Sequence, residues 1–287
     1  MKHFIHYFSE DTSVRLDAFI TERSTEIEYL DVDRPAVIVC PGGGYSFCSD
    51  REAEPVALKY AAAGFQVFIL RYTVGEKAVF PTSLIDLGKT IKLIRDHAKE
   101  WAVIPHQIAV CGFSAGGHLA ASLGVYWNDP AIQKACGATA KELRPDLLIL
   151  GYPVISTSWM ENYDQYARVS GDPDNAELYQ KLNLHTAVDE TTPPAFISHG
   201  TADPGVPVRD SLKFACALEE HNVPVELHLF SHAQHGYSVA DETCYARGQA
   251  DDTMAAWVPL SIAWLTRNFF EGELGKAVEK GQYSSKY

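Results

Sequence analysis

Short continuous apolar runs recur along the chain, at Pro35–Cys40, Phe65–Tyr72, Ile108–Cys111, Asp146–Pro153 and Pro194–Gly200. Runs this short, with turn residues beyond them and no polar alternation, predict strands covered on both faces, as in a parallel sheet. Helical spacing fills the gaps. Glu52 to Ala63 predicts a helix stopped by Gly64, and after Pro81 the residues Leu84, Leu87, Ile91, Ile94, Ala98 and Trp101 recur at spacings of three and four. A further helix is expected over Pro207–Glu220 and a closing one over Thr253–Phe270. Phe4–Phe8 and Val14–Ile20 alternate and read as an antiparallel edge. Val225–Phe230 also alternates, which suits a strand near the other edge with one wetter face. Repeated strand–helix alternation of this kind predicts an α/β fold, a mostly parallel doubly wound sheet with helices on both faces.

At 287 residues the expectation is a single domain over 1–287. The polar, aromatic stretch 156–193 reads either as a lid insertion or as a surface excursion, and the polar tail from Glu271 to Tyr287 as a fraying end. A hydrophobic share of 46% and a charged share of 21% are ordinary for a soluble globular protein. The net charge of −13 argues against nucleic acid and anionic membranes as partners. Without an apolar leader or spanning run, a cytoplasmic location is expected. The six cysteines include no C-x-x-C pair. Cys40 and Cys111 each close an apolar strand, so free thiols and no structural metal are expected.

The chemistry centres on Gly112-Phe113-Ser114-Ala115-Gly116, a G-x-S-x-G between an apolar strand and a small-residue helix. In that context the serine occupies a strained turn that projects its hydroxyl above the sheet edge, which makes Ser114 the candidate nucleophile. Such a hydroxyl needs a base, and the base an orienting acid. In open parallel sheets ligands bind beyond the carboxyl ends of the strands. The residues following Pro194–Gly200 supply Asp203, and those following Val225–Phe230 supply His235. His232 competes as base and Asp189 as acid. His118 and His199 read as structural hydrogen-bonding residues. Donors for an oxyanion are expected from the amides of Gly43, Gly44 and Ala115. Tyr45, Tyr152, Trp159 and Tyr163 are expected around the substrate as aromatic groups with polar tips.

Taken together, Pro41-Gly42-Gly43-Gly44-Tyr45, Glu54-Pro55-Val56-Ala57, Arg71-Tyr72, Gly112 to Ala120, His199-Gly200-Thr201-Ala202-Asp203 and His235-Gly236 resemble, in order, the α/β-hydrolase esterases of the bacterial acetyl esterase/acetylxylan esterase-like group, themselves similar to hormone-sensitive-lipase-type esterases. Pro41 stands where the lipase-type families carry a histidine. The resemblance implies a serine carboxylic ester hydrolase that works without metal or organic cofactor. Its expected substrate is a small-molecule ester, with removal of acetyl groups from xylan-derived or other sugars as the leading reading. General carboxylesterase or lipase activity, serine peptidase activity and an inactive ligand receptor are the alternatives. Composition leaves the acyl length, the alcohol and any homo-oligomer open.

Overall fold

The computed structural model describes residues 1–8, 10, 13–26, 31–157, 165–172, 174–245 and 250–271, with the backbone alone for 165–167 and 271. Eight strands form one sheet among these residues: β1 (Lys2–Tyr7), β2 (Arg15–Ile20), β3 (Arg34–Cys40), β4 (Gln66–Arg71), β5 (Val103–Phe113), β6 (Leu147–Gly151), β7 (Ala195–Gly200) and β8 (Val225–Phe230). Their order is β1-β2-β4-β3-β5-β6-β7-β8. β1 and β2 pair antiparallel and β2 joins β4 antiparallel, while every pairing from β4 through β8 is parallel. The fold is an α/β-hydrolase fold.

The continuous apolar runs have the expected cause. β6 and β7 are buried at every position, and β3 at all but its first. Because side chains alternate across a strand, β3 feeds two separate cores. Ala36, Ile38 and Cys40 pack in a cluster with Leu84, Leu87 and Ile91 of α2 (Thr82–Asp96) and Leu119 of α3 (Ala115–Tyr126). Phe214 and Leu218 of α4 (Arg209–Glu220) belong to the same cluster. Val37 and Val39 face the other way, into a cluster with Tyr60 of α1 (Glu54–Ala62) and Trp257 of α5 (Trp257–Thr266). α2, α3 and α4 therefore cover one face of the sheet, and α1 and α5 the other. β8 stands at the edge and is less buried than its neighbours, in keeping with its alternating sequence.

Two helices differ from the spacing. α2 ends at Asp96, and the buried Ala98 and Trp101 that continue its periodicity lie in the turns beyond it. The closing helix is interrupted: Asp252–Ala255 forms one turn, α5 starts at Trp257, and Arg267–Glu271 winds as a π-helix. Pro259 accounts for the first break, since its ring would collide with the carbonyl of Ala255 and it offers no N–H.

β3 and β5 lie side by side with Cys40 opposite Gly112, yet the chain visits β4 between them. The connections leave their carboxyl ends in opposite directions, and such a switch point opens a crevice above the sheet. The glycine loop after β3 and the G-x-S-x-G turn after β5 meet there.

Candidate active site

Ser114 has φ 53° and ψ −117°, a backbone conformation that costs an L-residue energy and persists only when its surroundings enforce it. The enforcing bonds are visible. Its N–H donates to the Gly151 carbonyl at 3.0 Å, and its own carbonyl accepts from His118 N at 3.0 Å and Val154 N at 3.1 Å. The flanking glycines are steric necessities: a Cβ on Gly112 would stand 2.1 Å from the Gly116 carbonyl oxygen, and one on Gly116 would stand 2.1 Å from that of Cys40. The turn thereby packs α3 directly onto the end of β3.

Beyond β8, a loop brings His235 to Ser114, with Oγ and Nε2 2.9 Å apart. Beyond β7, Asp203 places Oδ2 2.8 Å from His235 Nδ1. The opposite oxygen, Oδ1, accepts from the amides of Gly205 at 2.6 Å and Val206 at 2.8 Å, which fixes the carboxylate plane. Burial by itself would raise the Asp203 pKa, but hydrogen bonds from His199 and His235 outweigh it and hold the carboxyl well below the usual range. Asp203 is thus an anion facing an Nδ1–H, which leaves His235 Nε2 as the acceptor toward the serine hydroxyl. The alternatives are placed elsewhere. His232 is exposed, and Asp189 is an exposed turn residue bonded to Thr191 and Thr192.

The glycine loop lies against this group. A Cβ on Gly42 would come within 3.0 Å of Ser114 Cβ. Gly43 and Gly44 have positive φ, at 125° and 61°, so both amides are turned by a conformation that side chains resist. Among the described residues neither these two amides nor that of Ala115 has a protein acceptor in the loop, whereas the Gly42 amide is bonded to Glu52 Oε2 at 2.8 Å. From the far side, Arg168 Nη1 donates to the Gly44 carbonyl at 3.0 Å. Arg168 belongs to the 156–193 stretch, whose described part contains short helices at Gln165–Ser170 and Ala176–Lys181.

The aromatic residues require a correction. Tyr45 is buried, and its hydroxyl lies 2.9 Å from His118 Nδ1. Tyr152 is buried as well; its hydroxyl donates to Glu52 Oε1 at 2.7 Å and accepts from Ser238 N at 2.9 Å, while its ring packs edge-on to His235 at 5.1 Å. Both support the site from inside and present no open face to a sugar, because their hydroxyls are taken up by internal partners. Trp159 and Tyr163 lie outside the described residues. An aromatic that the sequence reading passed over is Phe47, 59% exposed, whose ring Cδ2 stands 3.2 Å from the position a Gly43 Cβ would occupy. Glu52 was passed over as well. An acid at a helix start reads as a surface group balancing the helix dipole, but here it is 3% exposed.

His118 is neutral and structural, bonded to Tyr45 and, through Nε2, to the Leu182 carbonyl at 3.3 Å; burial pushes its pKa down to about 4. All six cysteines are free thiols, and burial raises the pKa of Cys40 and Cys111. Among the described residues no helix is long and apolar enough to cross a membrane.

Residues 28–218 match the profile of the BD-FAE family. The chain belongs to that family. Residues 178–261 of this BD-FAE member also match the dienelactone hydrolase family. Its sequence is 32% identical over 219 residues to endo-1,4-beta-xylanase B of Butyrivibrio fibrisolvens, a match covering 75% of this chain and 34% of that protein. The chain spans about a third of the length of that xylanase and just under half of two further curated relatives, esterase LipQ of Mycobacterium tuberculosis and an acetylxylan esterase of Xylanibacter ruminicola. Among solved structures, the carboxylesterase Cest-2923 from Lactobacillus plantarum WCFS1 superposes with a TM-score of 0.82 at 28% identity, covering 93% of this chain and 98% of that one. An acetyl ester-xyloside bifunctional hydrolase from Caldicellulosiruptor lactoaceticus gives a TM-score of 0.74 at 32% identity, covering 92% and 94%.

Proposed function

We propose that the chain is a serine carboxylic ester hydrolase acting on small acyl esters, with acetylated sugars or xylo-oligosaccharides as substrates. The observation that carries the proposal is the continuous relay from Asp203 Oδ2 to His235 Nδ1 at 2.8 Å and from His235 Nε2 to Ser114 Oγ at 2.9 Å. It starts from a serine held in a strained turn beside amides free to bind an anion.

In this reading Ser114 Oγ attacks the ester carbonyl while His235 Nε2 takes the hydroxyl proton. Asp203 holds the tautomer and stabilises the imidazolium. The carbonyl oxygen, now an anion, is bound by the amides of Ala115, Gly43 and Gly44, which are pre-aimed and so need no reorganisation as charge develops. His235 then returns the proton to the leaving alcohol, and water, deprotonated by the same imidazole, cleaves the acyl-enzyme. Every proton passes through His235, so the scheme needs no second acid or base.

The carbohydrate reading is supported by the names of two relatives, a xylanase and an acetyl ester-xyloside hydrolase. Phe47 adds to it, since an exposed ring beside the oxyanion loop suits stacking on a sugar next to the scissile ester. The test has two parts. A fluorophosphonate probe should label Ser114 in the folded protein. Acetyl should be preferred over butyryl and octanoyl p-nitrophenyl esters, with each unaccommodated methylene costing about 1 kcal/mol or more, and acetate should be released from acetylated xylo-oligosaccharides. No labelling would favour a ligand receptor. Octanoate as best substrate, with no acetate released from the sugars, would favour a lipid or general carboxylesterase.

A further inference from the structure

Glu52 is a buried carboxylate that the proposed chemistry does not use, and burying such a charge is costly unless donors satisfy it. Among the described residues each oxygen has one donor. Oε2 accepts from the Gly42 amide at 2.8 Å, and Oε1 accepts from the Tyr152 hydroxyl at 2.7 Å. Those donors belong to different parts of the site. Gly42 begins the loop whose next two amides are assigned to the oxyanion. Tyr152 follows β6, packs its ring against His235, and accepts from Ser238 N at 2.9 Å, three residues past that histidine. Ser238 Oγ in turn donates to the Arg51 carbonyl at 2.6 Å, returning to the turn that carries Glu52. Glu52, Tyr152, Ser238 and Arg51 thus close a ring of contacts that joins the residue after β6 to the histidine loop, and the glycine loop is tied to it through Gly42.

Backbone strain is concentrated on and around the same ring. Of the seven described non-glycine residues with positive φ, five are Tyr45, Ser114, Tyr152, Ser238 and Ala240, all in the segments that Glu52 and Tyr152 join or touch. Such conformations persist where the surroundings over-determine them. We propose that Glu52 is a positioning residue that, through Gly42 on one side and Tyr152 on the other, holds the oxyanion amides and His235 in register with each other. The inference rests on the esterase reading for its kinetic consequence, but not for the coupling itself.

Two substitutions separate hydrogen bonding from bulk and charge. In Glu52→Gln the side-chain oxygen still accepts from Gly42 N–H, and the amide can donate to Tyr152 Oη, which has lone pairs for both it and Ser238 N–H. In Glu52→Ala both contacts go. The expected result is a kcat for p-nitrophenyl acetate within about threefold of wild type in Glu52→Gln and about 100-fold lower in Glu52→Ala, the cost of misplacing an oxyanion donor, with KM within about twofold. Tyr152→Phe leaves the Gly42 contact intact. It should lower kcat about tenfold for p-nitrophenyl acetate and ethyl acetate alike, since His235 is the base toward Ser114 and toward water whatever the leaving group.

Amide hydrogen exchange on the same proteins is independent of ester turnover. Glu52→Ala should raise exchange together in 42–45 and 236–240, and Tyr152→Phe in 236–240 alone. Unchanged exchange in both segments, a kcat in folded Glu52→Ala within threefold of wild type, equal losses in Gln and Ala variants, or a loss confined to KM would each overturn the proposal. A wild-type protein that cleaves no ester, yet shows the coupled exchange, would count against the esterase reading and leave the coupling upheld.

Discussion

His199 Nε2 lies 3.3 Å from Asp203 Oδ2, the same oxygen that faces His235 Nδ1 at 2.8 Å. His199 is fully buried between β7 and α4, with Nδ1 2.7 Å from Ser211 Oγ and Nε2 also 3.0 Å from the Val206 carbonyl. With a carbonyl and a carboxylate both facing Nε2, that nitrogen carries a proton and donates to Asp203. Replacing His199 with Leu keeps the volume and removes the donor. We expect kcat about tenfold lower across the pH profile, the worth of a hydrogen bond to a charged group, with the Asp203 carboxyl less strongly held below the usual range. A wild-type profile in this variant would show that His235 alone suffices to hold Asp203.

Ser114→Ala removes the proposed nucleophile from a turn held by backbone contacts, so the melting temperature should stay within a few degrees while kcat falls by about 10⁴-fold or more. His235→Ala should do the same and His232→Ala should leave kcat unaltered, because His232 is exposed and the relay passes through His235. Retention of more than about a tenth of wild-type activity in Ser114→Ala would contradict the role assigned to it.

For the oxyanion loop the informative position is Gly43. An added Cβ would meet the Phe47 carbonyl oxygen at 2.1 Å with φ at 125°, so Gly43→Ala must shift the loop and its amides. A loss of about 100-fold in kcat with a small change in KM is expected. Gly75→Ala is the control, since Gly75 also has a positive φ of 73° but nothing within 4 Å of its Cβ position. It should cost about 1 kcal/mol of stability and no activity. Equal activity in the two variants would remove Gly43 from the site.

Most of the sheet was legible because parallel strands buried on both faces cannot alternate, and β3, β4, β6 and β7 stand out as apolar runs. Ser114, Asp203 and His235 are legible as candidates because this topology gathers the first few residues after each strand into one crevice. Glu52 is not legible in this way, and neither is the inward contact that Tyr152 makes with it. Their importance comes from partners 100 residues apart in the chain, and a single acid or tyrosine carries no local pattern that reports such a pairing. The same limit explains the aromatic assignments: position after a strand placed Tyr45 and Tyr152 near the site, but only the hydroxyl contacts to His118 and Glu52 show that both rings turn inward. The end of α2 shows a helical period outrunning its helix, because Ala98 and Trp101 keep the spacing and the burial while the backbone has already turned.

Acid should destabilise the fold in two separate windows. His118 has its folded pKa lowered to about 4, while an unfolded histidine titrates near 6.5. Between those values the unfolded chain binds a proton that the folded chain refuses, so stability falls as pH drops through that interval. From pH 7 to pH 5 the loss attributable to this residue is about 2 kcal/mol. Asp203 acts lower. Its folded pKa is depressed, so its contribution is complete above about pH 4, where an unfolded aspartate is ionised, and is lost only on further acidification. His118→Gln retains a donor toward the Leu182 carbonyl and an acceptor toward Tyr45 but cannot titrate. Urea denaturation at pH 7 and pH 5 should therefore show a wild-type loss that His118→Gln reduces by about 2 kcal/mol, with both proteins converging on the same steep loss below pH 4. An equal pH 7 to pH 5 loss in the two proteins would mean that His118 accepts a proton without opening the contact between α3 and the Leu182 carbonyl.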